Sequence, residues 1–354
     1  MIDPWGKGGI KDYDKVCKNL GVGKFKRFAK ALPDPPLFMK RGMVYGEKDF
    51  SKIAESIKKK KPFALLTGLM PSGKFHIGHM ALAQQIIYYQ KLGAKIYILV
   101  ADIESFLTRG ISFAEARKIA IDEYITNYIA LGLKSKNCKI YFQSTEGAEY
   151  QTLTKVVAKH TTLNEMRSIY GNIEPNKIVS SLTQVGDILY PQLEKPLPTI
   201  VPVGFDQLPH INLTRDIASR IKEYDFLLPS ATFHKFMPGL NGGKMSSSDP
   251  NSYIALTDSP NEVKRKINAA FSGGQVTLEE HRKKGGNPDV DIAFQYLKLM
   301  FEEDDKKLAQ LEKNYRSGKL LTGELKKYAI EKITVFLKQH QAKRAKANLK
   351  KFFK

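Results

Sequence analysis

The run Pro71-Ser-Gly-Lys-Phe-His-Ile-Gly-His79 gathers glycine, histidine and lysine, residue types that handle phosphate. Gly68, Gly73 and Gly78 let a backbone approach a ligand closely, and a helix starting behind them offers unpaired N–H groups and a positive dipole end to an anion. His76 and His79 lie three apart, so on a first helical turn they share a face and both reach phosphate oxygens. The bland alternative is a helix start whose histidines only cap or pack. Zinc fits worse, because three spaced ligands are normally required and no Cys or third His lies nearby. About 165 residues further on, Gly242-Gly-Lys-Met-Ser-Ser-Ser248 sets two glycines before one lysine and three hydroxyls. A Lys244 ammonium there would meet charge building on a transferring phosphate, while Ser246, Ser247, Ser248 and loop N–H groups hold a triphosphate. Alone, this stretch also reads as a hydrophilic surface loop.

The elements around these motifs are those of an α/β protein. Phe63 to Thr67 and Ile96 to Ala101 are short apolar runs that suit buried strands, with a glycine-punctuated turn and a helix from about Ile77 to Gln90 between them. Strand, turn, helix and strand within about forty residues make a βαβ unit and predict a parallel sheet. The Ser112 and Glu115 spacing caps a helix that stops at Gly132, and Lys139 to Phe142 reads as a further strand. Thr199 to Val203 is another, interrupted by Pro202, and it feeds a helix over Leu208 to Ile221. After Pro260 the strand signals fade, and Asp291 to Phe301 and Gly323 to Gln339 have helical periodicity.

A formal charge of +21 over 354 residues suits a polyanionic partner, while 42% apolar residues supply a full core, so disorder is excluded as an overall description. The tail from Glu324 carries ten Lys/Arg and two Glu, which reads either as a face toward RNA or as a solvated helix face. Cys17 and Cys138 have no CxxC spacing, so neither a disulfide scaffold nor a cysteine zinc site is written here. No window approaches the roughly 18 apolar residues of a membrane span, and the expectation is a cytoplasmic protein without a membrane partner.

Taken together the two motifs resemble the class I aminoacyl-tRNA synthetases, whose signatures are a HIGH tetrapeptide and a KMSKS loop. Here they stand as His76-Ile-Gly-His79 and Lys244-Met-Ser-Ser-Ser248, with Ser247 in place of a second lysine. Val203-Gly-Phe-Asp-Gln207, Leu213-Thr-Arg-Asp-Ile217, Phe271-Ser-Gly-Gly, Leu321-Thr-Gly-Glu-Leu325 and His340-Gln341 resemble the tryptophanyl-tRNA synthetases of archaeal and eukaryotic type. So do Asp3-Pro-Trp5 and Asp12-Tyr-Asp14.

The resemblance implies a Rossmann-type catalytic domain over 62–250, a helical anticodon-binding domain over 251–354 and an appended N-terminal segment over 1–61. It also implies ATP with Mg2+, L-tryptophan, tRNA(Trp) and a homodimer. It makes His76, His79 and Lys244 catalytic, and Gly68, Ser72, Gly78, Met245, Ser246, Ser247 and Ser248 an ATP-binding set. Family positions for binding the substrate ammonium and amino acid fall on Glu104, Gln184 and Gln207. Where eukaryotic members set a tyrosine and a glutamine against the indole, this chain has Leu66 and Leu99, neither able to accept a hydrogen bond. The order Gln184-Val-Gly-Asp-Ile188 resembles the bacterial tryptophanyl enzymes and moves that role to Asp187. The same order also resembles the tyrosyl enzymes, the leading alternative, although Leu66 replaces their phenol-binding tyrosine. A synthetase-derived RNA-binding protein without catalysis is a further alternative, disfavoured by the intact motifs. No metal-ligand set is read in the sequence.

Overall fold

The computed structural model describes residues 12–243, 245 and 249–353; Asp3-Pro-Trp5, Lys244 and Ser246 to Ser248 lie outside the described residues. Seven strands form one sheet: β1 (Gly23–Lys24), β2 (Val44–Lys48), β3 (Ala64–Leu69), β4 (Lys95–Val100), β5 (Cys138–Phe142), β6 (Thr199–Gly204) and β7 (Ser230–His234). Their order is β1-β2-β7-β6-β3-β4-β5, and the five strands from β7 to β5 run parallel. Every residue from Ile96 to Val100 is buried, as expected of a strand with helices on both faces.

The chain leaves β3 to build β4 and β5 on one side, then returns to build β6 and β7 on the other. This reversal makes a switch point between β3 and β6, the place where open parallel sheets bind ligands at their carboxyl ends. The gap is widened by sequence. The β3–β6 ladder holds only Ala64 to Thr199 and Leu65 to Ile200. It stops before Pro202, which has no N–H to donate. Gly68, near the open end, is the one exposed residue of β3.

The segment expected as an appendage contributes to this sheet over its described part. β2 runs antiparallel to β7, and β1 antiparallel to β2, so the sheet is mixed rather than wholly parallel. β2 is short, with Val44, Gly46 and Glu47 buried, and the prolines and lysines around it obscure its pattern.

Beyond Pro260 the described chain is helical, with the long helix Thr322–Arg344 followed by a short turn of 3-10 helix at Leu349–Lys351. Its Leu325, Ala329, Ile333 and Leu337 join the same apolar core as Met80 and Phe75 from the sheet's helical layer. Polar contacts tie the ends together: the His340 ring meets Asn127 Oδ1 at 2.7 Å, and Gln341 donates to the Leu256 and Asp258 carbonyls at 3.0 Å each. Part of the tail's charge is used internally. Lys326 is buried and donates to the Asn268 and Ala270 carbonyls at 2.8 Å, satisfying the end of helix Pro260–Ala269. Arg344 donates to the Asp122 carbonyl, and Lys332 pairs with Glu302. Among the described residues no helix is long and apolar enough to cross a membrane.

Candidate active site

Helix Ile77–Lys91 begins within the histidine motif, with His76 at its N-cap and His79 in its first turn. The turn before it is held from outside: Ile77 N–H donates to Ile254 at 3.1 Å and Leu256 N–H to Phe75 at 2.9 Å, so His76 pairs with Ala255 as an antiparallel bridge. Residues 254–256 follow the glycine-lysine loop, so the segment after that loop is fastened beside the histidine turn. Met245, 8% exposed, completes the junction. A Cβ built on Gly78 would lie 3.1 Å from the Met245 sulfur and 3.0 Å from His76 Cε1, so a side chain there would require one of these neighbours to shift by a few tenths of an ångström. Behind the junction Lys266 and Asp258 form a buried ion pair at 2.6 Å, and the same Asp258 oxygen accepts the Ala255 N–H at 3.0 Å.

The two imidazoles stack, with centroids 3.7 Å apart and planes at 23°. His79 Nδ1 accepts the His76 backbone N–H at 3.3 Å, which puts the His79 proton on Nε2. The spacing suggests two equivalent phosphate ligands; the structure instead leaves His79 one nitrogen for a ligand because the other caps the turn. Burial holds both rings uncharged near neutral pH, driving His79 down to about 4 and His76 well below its usual value, with His79 reinforcing the latter. They act as hydrogen-bonding groups rather than cations. Ser72 enters this turn through its backbone, its carbonyl accepting from Tyr124 Oη at 2.8 Å.

Across the switch point the sheet carries an apolar wall in which Leu66, Leu99, Tyr141, Tyr150 and Ile188 cluster. Asp187, on helix Pro175–Leu189, is 1% exposed at the polar end of this wall. Its Oδ1 accepts from Tyr150 Oη at 2.8 Å and Tyr141 Oη at 3.4 Å, and its Oδ2 accepts from Gln143 Nε2 at 2.7 Å. Burial raises the Asp187 carboxyl to about 7 against the pull of these donors, and the charge of Glu104 adds to the rise. Burial likewise raises Glu104, with Arg109 opposing. Gln184, one turn before Asp187, donates to Gln207 Oε1 at 2.9 Å. Glu104, Gln184, Asp187 and Gln207 therefore gather at one end of the sheet.

Gln143, Tyr141 and Tyr150 are absent from the set read in the sequence. A signal was available for two of them. Tyr141 and Gln143 are two apart at the carboxyl end of β5, hence on one face where parallel sheets place ligands. Asp102, at the carboxyl end of β4, is also buried and bonded to Ser144 through the latter's N–H at 3.1 Å and its hydroxyl.

Comparison with known proteins agrees with this geometry. Residues 58–338 match the model for tRNA synthetases class I (W and Y). The chain is 42% identical to the tryptophan–tRNA ligase of Aeropyrum pernix over 98% of its own length and 95% of that relative. The figures for the tryptophan–tRNA ligase of Methanocaldococcus jannaschii are the same.

The chain belongs to the class I tryptophan–tRNA ligases.

Within that family, the crystal structure of the Aeropyrum pernix enzyme superposes with a TM-score of 0.90, covering 98% of this chain and 96% of that one. A tryptophanyl-tRNA synthetase from Encephalitozoon cuniculi bound to tryptophan superposes with a TM-score of 0.83 at 27% identity, covering 98% of each chain.

Proposed function

We propose that this chain activates L-tryptophan with ATP and transfers it to tRNA(Trp), using the cleft between β3 and β6. A tryptophan carboxylate oxygen attacks the α-phosphorus, the bond to the bridging oxygen breaks, and pyrophosphate leaves. A terminal ribose hydroxyl of tRNA then attacks the adenylate carbonyl carbon, releasing AMP and a proton. The carboxylate is ionised at neutral pH, so the first step calls for positioning and charge stabilisation rather than a general base. Neutral His76 and His79 give hydrogen bonds, Gly68, Ser72 and Gly78 admit the nucleotide, and Met245 seats the loop that brings Lys244 and Ser246 to Ser248 over the phosphates. Mg2+ would arrive on the nucleotide's own phosphates. When bound there, Mg2+ neutralises phosphate charge.

Glu104, Gln184 and Gln207 hold the amino-acid head, and the Asp187 network faces the indole past Leu66 and Leu99. Residues 62–250 form the catalytic region and 251–354 read the anticodon, with the appended segment 1–61 contributing β1 and β2 to the sheet. Two copies pair as a homodimer in this reading. The work is that of a cytoplasmic translation enzyme.

The observation that carries this reading is the His76–Ala255 bridge, which sets the Met245-anchored loop against the histidine turn. Aminoacylation with purified transcripts tests it: tRNA(Trp) charged with tryptophan is the expected result. Charging of tRNA(Tyr) with tyrosine, or of neither, would overturn it.

A further inference from the structure

Gln143 is 3% exposed, and its two amide ends fare differently. Above about pH 7, where Asp187 is ionised, its carboxylate only accepts hydrogen bonds, so the 2.7 Å contact with Oδ2 sets Nε2 as the end facing Asp187. Oε1 is thereby turned away from Asp187, and it is buried without a hydrogen-bond partner. The main chain here is held as well, the Gln143 backbone carbonyl accepting from Gln151 Nε2 at 2.9 Å. Buried amide oxygens are nearly always satisfied, because an orphaned acceptor loses its water and gains nothing. This one is locked in place beside an apolar wall, at the carboxyl end of β5. Asp187, by contrast, already accepts three donors.

We infer that Gln143 Oε1 accepts the indole N–H of tryptophan, with Asp187 as a positioning residue that holds the amide in that orientation. The inference rests on the proposed tryptophan activation and sharpens it. Indole offers one donor and no acceptor, which is the complement of a lone carbonyl oxygen on an otherwise apolar wall. Leu66 and Leu99 have no polar atom to compete, so the specificity lost at those positions is recovered from β5. Burial of the orphan oxygen in the free protein gives the site its discrimination, since a ligand without an N–H leaves it unpaired.

The test compares tryptophan with β-(3-benzothienyl)alanine, which has sulfur in place of the indole N–H, in ATP–pyrophosphate exchange with the full chain. The parent protein should favour tryptophan in kcat/KM by about tenfold or more. Gln143→Leu should bring the two substrates to near parity, chiefly by raising the KM for tryptophan, while the KM for ATP and the rate with the benzothienyl analogue stay near parent values. Gln143→Met, closer in flexibility, should behave in the same way. Retained activity toward the analogue shows that the variant is folded. Unchanged preference for tryptophan in both variants would overturn the assignment, as would a parent protein that activates both substrates equally. Absence of any tryptophan activation by the parent would instead sink the proposed function itself.

Discussion

At the proposed phosphate end of the cleft His76, Gly78 and His79 come from one short turn, whereas at the proposed indole end Gln143, Tyr150 and Asp187 come from three elements separated by helix and loop. The first group is positioned by backbone: an N-cap, a bridge to Ala255 and a glycine whose neighbours a side chain would have to shift. The second is positioned by side chains bonded to one another inside a buried network. A backbone-built site tolerates changes in its surroundings and fails when a particular residue is lost. A network-built site couples its members, so changes there spread to pH dependence and stability.

The largest effect is expected at the phosphate end. Lys244→Ala should slow adenylate formation by about 10²–10³ with little change in tryptophan binding, since a preorganised donor acts on developing charge. Single-turnover kinetics check this, and an equal loss in tryptophan affinity would erase the separation between the two ends. At the indole end, Asp187→Ala frees Gln143 and leaves two tyrosine hydroxyls without their acceptor. The KM for tryptophan should rise by roughly 10- to 150-fold with the KM for ATP nearly fixed, as exchange kinetics would measure.

The coupling also has a pH signature. The folded carboxyl of Asp187 titrates near 7 and the unfolded one near 3.8, so the folded state holds a proton that the unfolded state has lost between those values. Its contribution to stability is full below about pH 4 and is lost as pH rises toward 7. Melting curves from pH 4 to 8 should show a decline that Asp187→Asn flattens; no difference between the two proteins would mean that the carboxyl is not held protonated. Gly78→Ala is expected to have a smaller effect, raising the KM for ATP by several-fold through the clash with His76 and Met245, and leaving the KM for tryptophan alone. The smallest concerns the tail: Lys343→Glu should weaken tRNA binding a few-fold and flatten its salt dependence, with exchange unaffected. Arg344 is the poorer probe because its guanidinium already serves the Asp122 carbonyl.

The same contrast explains what could be read from sequence. Ser112 caps its helix by accepting the Glu115 N–H at 3.3 Å, and Gly132 ends that stretch with φ +117°, because both signals act over a few residues. The strands β3, β4 and β5 stood out as apolar runs for the same reason. β2 does not, since a strand of five residues with Val44, Gly46 and Glu47 buried lacks a clean alternation and lies between prolines and charges. The spacing of His76 and His79 placed both on one turn but not which nitrogen remains free, a matter of one 3.3 Å bond. Tyr150 carries no local signal because its meaning comes from Asp187, and Lys326 belongs to the basic tail by sequence but serves the Asn268 and Ala270 carbonyls in the fold.

Amino-acid-dependent ATP–pyrophosphate exchange, run across all twenty amino acids with the unmodified chain, tests the central claim most directly. A signal with tryptophan alone is predicted, because the apolar wall of Leu66 and Leu99 gives a phenol hydroxyl no place while the Gln143–Asp187 pair meets an indole. Exchange with tyrosine equal to or above that with tryptophan, or exchange with no amino acid at all, would contradict it.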